Sequence, residues 1–162
     1  MDRERGHEDS DHLQLRAWLR LLTCTNLIET RVRGGLRETW NITLPRFDLL
    51  SQLHRAGDDG LTMGDLSRAM MVSAGNVTGL VEALVGEGLV RRTTSAADRR
   101  QSRVRLTQAG KRGFEAMLPE HERWIDEAFA GLDRGDLKRL LELLAKLKQS
   151  AKAAERGGKE AA

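Results

Sequence analysis

Residues 61–106 read LTMGDLSRAMMVSAGNVTGLVEALVGEGLVRRTTSAADRRQSRVRL, and this stretch decides the fold. Thr62 to Asp65 has the form of a capping box, in which a hydroxyl and an acid three residues later satisfy each other's backbone donors. It predicts the start of a short helix with Leu66, Ala69 and Met70 inward and Ser67 and Arg68 outward. Met-Val-Ser-Ala-Gly (71–75) predicts a turn, with Ser73 capping a second helix. In that helix Val77, Leu80, Val81 and Leu84 recur at i, i+3, i+4 and i+7, the spacing of one buried face. Ala74, Gly75, Asn76, Thr78, Gly79 and Glu82 are left outward. Glycine stops the helix, residues 89–94 read as a strand, SAADRRQS as a turn, and 103–106 as a returning strand in which Val104 and Leu106 alternate with Arg103 and Arg105. The economical reading is a helix-turn-helix followed by a β-wing, and the fold class is mainly α (α+β).

The flanks are helical. From Asp11, Leu15, Trp18, Leu19, Leu22, Val32, Leu36 and Trp40 fall on one stripe, widened by Leu21 and Ile28. Thr23 to Asn26 interrupts it with small polar residues, which suit either a helix crossing or a cavity wall. Gly34-Gly35 costs roughly 1 kcal/mol per glycine relative to alanine and marks a point of bending. Thr43 then reads as an N-cap and Pro45 as a first-turn residue of a helix carrying Phe47, Leu49, Leu50 and Leu53. Beyond the wing, Thr107 caps a long helix to about Ala130, kinked at Pro119. Asp133 caps a last helix whose Leu137, Leu140, Leu141, Leu144 and Leu147 form a narrow seam, too apolar to stay bare and coverable by a second subunit. Residues 1–10 are expected to be disordered and 153–162 frayed. The expected organisation is therefore an N-terminal helix (11–42), a winged head (43–107) and C-terminal helices (108–152), the terminal helices holding two heads together.

The chain has 162 residues, 40% hydrophobic and 31% charged, the bounds of one ordinary globular domain. Aromatics make up 4% with no tyrosine, which disfavours a base-stacking platform. Net charge is only +3, but Arg91, Arg92, Arg99, Arg100, Arg103, Arg105, Lys111 and Arg112 crowd one segment that holds a single acid, Asp98. Such a field suits a polyanion, nucleic acid first, although a solvated charged face has the same composition. One cysteine, Cys24, excludes an intrachain disulfide and fits a reducing compartment. No membrane span or secretory leader is legible, so a cytoplasmic protein is expected. His7, His12, His54 and His121 show no metal-ligand spacing and no Cys–His pair is evident, so no enzyme, metal or cofactor is expected.

These features together resemble the MarR family of transcriptional regulators over about residues 11–150. The wing carries the resemblance: Asp98-Arg99-Arg100, five residues, then Leu106-Thr107 match the family's D-x-R-x5-L-T pattern. The preceding GLVRR and following T-x-x-G (Thr107 to Gly110) agree with it. Ser95-Ala96-Ala97 departs where members often carry Asp-Pro, which alters the wing tip while keeping its Asp and Arg positions.

The resemblance implies a homodimer of winged heads that binds a pseudo-palindromic operator in double-stranded DNA. Members usually repress until a small molecule or oxidant moves the heads. Residues Ser73, Ala74, Gly75, Asn76, Thr78 and Gly79 would then enter the major groove, Asn76 as a candidate for adenine and Thr78 for a hydroxyl or methyl contact. Thr62 and Arg103 join them as candidate DNA contacts. Arg99 or Arg100 would reach the minor groove, and Asp98 would hold the wing arginine in position. An effector site is implied where the dimer helices meet the head. Its candidates are Trp18, Leu22, Asn26, Trp40 and Phe47, with Arg16, Arg31, Arg33 or Arg46 for a carboxylate; the rival reading is that the apolar ones are core. An aromatic acid or its thioester is the expected effector. One branch senses peroxide through an N-terminal cysteine paired with tyrosines; without tyrosine, Cys24 reads as apolar filler. A non-specific architectural DNA binder, a redox-sensing regulator using Cys24 and a protein-interaction module are the alternatives.

Overall fold

The computed structural model describes residues 12–94 and 102–160. The chain forms two compact units that divide between Ile125 and Asp126. The first is built from α1 (Leu13–Trp40), α2 (Leu44–Ala56), a 3-10 turn (Gly57–Asp59), β1 (Leu61–Thr62), α3 (Met63–Met70), α4 (Ala74–Gly86), β2 (Val90–Thr94), β3 (Ser102–Leu106) and most of α5 (Gln108–Phe129). The second holds the end of α5 and the helix α6 (Arg134–Glu160). The expected unstructured start (1–10) and the wing-tip residues Asp98, Arg99 and Arg100 lie outside the described residues.

Helix α2 forms where it is expected, with Pro45 in its first turn and Phe47, Leu49, Leu50 and Leu53 all buried. Thr43 caps it through its backbone carbonyl, which accepts from the Arg46 and Phe47 amides at 3.1 and 3.0 Å. These side chains join Leu66, Val77, Val81, Leu84, Val90 and Val104 in one core, completed by Phe114, Met117 and Trp124 of α5. Fully burying side chains of this size contributes about 1.5–3 kcal/mol each, so this core carries the unit's stability. A line of rings runs through it: His121 on Phe47 at 4.7 Å, Phe47 on Phe114 at 5.2 Å, and Phe114 on His54 at 5.0 Å between centroids. Burial holds the His121 imidazole below the ordinary histidine range, partly offset by the neighbouring Asp48 charge. Burial likewise raises the Asp48 carboxyl, and Glu29 raises it further.

The sheet is antiparallel with order β1-β3-β2. Val90 pairs with Leu106, Arg91 with Arg105, Arg92 with Val104 and Thr93 with Arg103. The two-residue β1, which pairs Leu61 with Val104 and Thr62 with Arg103, has no counterpart in the sequence reading. Gly60 makes it possible: its φ of +62° suits glycine, and a Cβ there would lie 2.4 Å from the Val104 carbonyl oxygen. Gly110 works similarly at the start of α5, where a Cβ would meet the Leu89 carbonyl oxygen at 1.9 Å. Thr107 accepts from the Gly110 amide at 3.0 Å and donates to the Gly88 carbonyl at 2.7 Å. The T-x-x-G pattern is thus a helix cap joined to a close strand crossing.

Four expectations are corrected. Helix α1 runs unbroken through Gly34-Gly35, but only Val32, Gly35 and Leu36 are buried on it. Leu15, Trp18, Leu19, Leu22 and Trp40, expected on a buried stripe, are 39–56% exposed because nothing among the described residues covers them. Gly35 is a packing glycine: a Cβ would lie 2.4 Å from the Trp124 ring, and Arg31 lies over the same ring at 5.8 Å. In α3, Leu66 is buried, but Ala69 is exposed and Ser67 half-buried. Met70 packs half-buried against the core, and the helix ends there in a left-handed residue, Met71 (φ 55°).

In the second unit, Asp133 and Asp136 cap α6 reciprocally, at 2.8 and 3.3 Å. The helix passes the expected fraying point at Ala153 and reaches Glu160. Leu141, Leu144 and Leu147 of its seam are 36–68% exposed.

Candidate nucleic-acid interface

The two short helices of the head form a tight corner. Thr62 and Asp65 complete the capping box: the Asp65 amide donates to Thr62 Oγ1 at 3.1 Å, and the Thr62 amide and hydroxyl donate to Asp65 Oδ2 at 3.3 and 2.7 Å. That hydroxyl, with Arg68 beside it, holds the Asp65 carboxyl below the ordinary carboxylate range. Ser67 Oγ donates to the Val72 carbonyl at 2.6 Å and pins the turn. Ser73 Oγ accepts the Asn76 amide at 3.4 Å and opens α4. Helices α3 and α4 are bent through 111°, within the roughly 90–120° of helix-turn-helix pairs.

Val77, Val81 and Leu84 of α4 are fully buried, with Leu80 at the edge of the core. The opposite face presents Ala74, Gly75, Asn76, Gly79 and Glu82 to solvent. Cβ atoms built on Gly75 or Gly79 meet nothing within 4 Å, so the fold does not require glycine at either. Each costs roughly 1 kcal/mol in a helix relative to alanine. A small, neutral helix face is what close approach to another backbone needs, and the N-terminus of α4 adds a positive dipole end. Thr78 is half-buried and donates to the Ala74 carbonyl at 2.9 Å, so its hydroxyl is already engaged within the helix.

Thr62 is half-buried in its cap, which occupies the hydroxyl proposed for contact. Arg103 donates from Nη1 to the carbonyls of Asp59 and Gly60, both at 3.3 Å, tying β3 to the turn before β1. Arg91 and Arg92 are exposed on β2. Arg68, which the sequence reading placed outside without a role, is an exposed cation on α3 paired with Asp65 at 2.5 Å. Its outward position is the signal that could have nominated it.

The effector candidates do not converge within one chain. Trp18, Leu22 and Asn26 succeed one another at four-residue spacing on an exposed face of α1. Trp40 is 22 residues beyond Trp18 on the same helix, about 33 Å along its axis. Phe47 is 4% exposed and belongs to the core ring stack, not to a cavity wall. A cavity of about 210 Å³ does open where α1 meets α2, lined by Arg33, Arg37, Ile42, Thr43, Leu44 and Pro45. Cys24 is exposed rather than packed as filler. Among the described residues no group of histidine, cysteine and carboxylates is arranged to hold a metal, and no single helix is long and apolar enough to cross a membrane.

Fold and site define a winged helix-turn-helix protein. The model of the MarR family matches residues 40–101, from the end of α1 to the residue before β3. The chain is 29% identical over 146 residues to the transcriptional activatory protein BadR of Rhodopseudomonas palustris, covering 88% of this chain and 82% of BadR. It is similar to the crystal structure of a MarR family transcriptional regulator from Silicibacter pomeroyi, with a TM-score of 0.71 and 30% identity over 93% of this chain and 99% of that one. It also shares the fold of Bordetella bronchiseptica BpsR, whose DNA binding is regulated by 6-hydroxynicotinic acid, with a TM-score of 0.70, 24% identity and coverage of 85% and 95%. The chain belongs to the MarR family of transcriptional regulators.

Proposed function

We propose that this regulator binds a pseudo-palindromic operator as a homodimer, represses from it, and releases it on binding a small aromatic acid or its thioester. One observation carries the DNA-reading part: α4 keeps a fully apolar inner face while its outer N-terminal face is small, uncharged and carries two glycines the fold does not use. Inserted in a major groove, that face brings Asn76 to base edges and lets the α4 amides approach phosphate. Arg99 or Arg100 at the wing tip reaches the minor groove, where a narrow A-tract strengthens the attraction. Asp98 positions that arginine. Arg103 acts first as the strap that fixes the wing to the head, through the Asp59 and Gly60 carbonyls.

Dimerisation is supported by the bare leucines and Trp18 of α1 and by the α6 seam, which a second copy would cover. Repression follows the family's usual habit; the relative BadR carries an activatory name, and the sign depends on where the operator lies relative to the promoter. For the effector, the cavity lined by Arg33 and Arg37 offers guanidinium groups beside Ile42, Leu44 and Pro45, a combination suited to an aromatic carboxylate. The regulation of BpsR by an aromatic acid supports this class.

Arg100→Ala should weaken operator binding by at least about 1 kcal/mol, the lower end for a specific groove contact. A mobility shift left unchanged by that substitution rejects the wing assignment. A non-specific architectural role predicts instead equal affinity for operator and random duplex at physiological salt.

A further inference from the structure

A second basic site lies where the wing strands meet the end of α2 and the start of α5. A cleft of about 690 Å³ opens between the outer face of the sheet, the end of α2 and the start of α5, and no residue of α3 or α4 lines it. Arg91, Arg105 and Lys111 line it, together with His54 and the carboxylates Asp58 and Glu115. We infer that this cleft binds the diphosphate group of a small anionic ligand, at a site separate from both the DNA-reading face and the α1–α2 cavity.

Three local arrangements are unfavourable in the empty head and are relieved together by one anion. First, Arg91 and Arg105 are direct cross-strand partners, so two guanidinium-bearing side chains emerge side by side, and like charges placed so repel. Second, Arg105 Nε is buried with no hydrogen-bond acceptor, a donor whose loss of water is uncompensated. Third, Lys111 places a cation in the first turns of α5, at the positive end of its dipole. Among the described residues none of the three cations has an ion-pair partner. Glu115, the nearest acid on α5, is engaged by His54 Nε2 at 3.2 Å.

Phosphate fits this set better than a lone carboxylate. Two guanidinium forks and an ammonium match several oxygens carrying more than one negative charge. Three cations match the two or three negative charges of a diphosphate group, free or carried by a nucleotide.

The test uses the full-length protein without DNA, titrated with inorganic pyrophosphate and, separately, ADP, with sodium chloride holding ionic strength constant. Saturable amide and Arg Nε shifts in NMR spectra, confined to residues near 57–58, 91, 105 and 108–111, are expected, with a rise in thermal midpoint. Equal affinity for the two probes identifies free diphosphate as the ligand; tighter binding of ADP identifies a nucleotide. Arg91→Gln and Lys111→Gln, both at exposed positions, should each weaken binding at least tenfold. Arg91→Gln should also raise the midpoint of the ligand-free protein by removing the like-charge pair. Arg68→Gln should bind as the wild type does. Non-saturating shifts spread over all exposed arginines, or equal binding by Lys111→Gln, would overturn the inference. So would an equal loss of operator affinity in Arg91→Gln without any anion, which would make the cleft part of the DNA footprint. That result leaves the DNA-binding reading intact, whereas loss of operator binding by Arg100→Ala says nothing about the cleft.

Discussion

Helices α1 and α4 carry apolar stripes of similar quality in the sequence, yet they end in different states. On α4, Val77, Val81 and Leu84 are fully buried by neighbours from the same chain. On α1, Leu13, Leu15, Trp18, Leu19, Leu22 and Leu27 remain 40–66% exposed, and the helix reaches the core only from Ile28 onward. The same periodicity therefore has two meanings. In the head it records contacts that close within one chain; in the terminal helices it leaves apolar side chains exposed. The contrast divides the molecule into a part whose stability is intramolecular and a part that, under the proposed dimer, gains stability with concentration.

The largest effect should come from the closed part. Leu84→Ala removes a fully buried side chain from the head and should cost about 2–5 kcal/mol in denaturant unfolding. That loss should persist at every protein concentration, and a cost that vanishes on dilution would contradict the division. Next comes the junction where α1 enters the core. Gly35→Ala places a methyl group against the Trp124 ring and should destabilise by about 1–3 kcal/mol through overpacking, despite alanine's better helix propensity. Gly34→Ala, where a Cβ meets open space, is the control and should be neutral or stabilising.

The open part should respond differently. Leu19→Glu, on the exposed stretch of α1, should leave the head folded and raise the dimer dissociation constant at least about tenfold in sedimentation velocity, equivalent to about 1.4 kcal/mol. If the variant sediments as the wild type does, the stripe has another role. The smallest effect concerns protons. His121 is disfavoured as a cation in the fold, so its contribution is complete above the unfolded histidine value of about 6.5 and declines as pH falls below it. The thermal midpoint of His121→Gln should therefore fall less between about pH 7.5 and about pH 5.5 than that of the wild type. Parallel pH profiles would assign the acid sensitivity elsewhere.

The head was the most legible part of the sequence because its signals are local. The Thr62–Asp65 box, the Ser73 cap and the i, i+3, i+4 spacing of α4 each act within four residues, and all three formed. What escaped reading depends on residues far apart in sequence. Gly35 reads as a weak point until Trp124 is found 89 positions later in contact with its backbone face. The short β1 exists because Gly60 fits under Val104, and Arg103 looks like one more wing cation until its bonds to Asp59 and Gly60 appear. The effector candidates failed to converge for a related reason. Helical periodicity gives the face of a residue but not its neighbours, and Trp18 and Trp40 share a helix about 33 Å apart. On the interface, sequence and structure agree where the signal is an absence: side chains too small on the outer face of α4 for stability to have chosen them.

The central claim is that this face reads DNA in symmetric pairs. Selection of bound sequences from random duplex DNA, with the purified full-length protein at physiological salt, tests it most directly. An inverted repeat with half-sites about one helical turn, or roughly 10 base pairs, apart is the predicted result. Recovery of random sequence with no shared motif, or of no DNA at all, would contradict it.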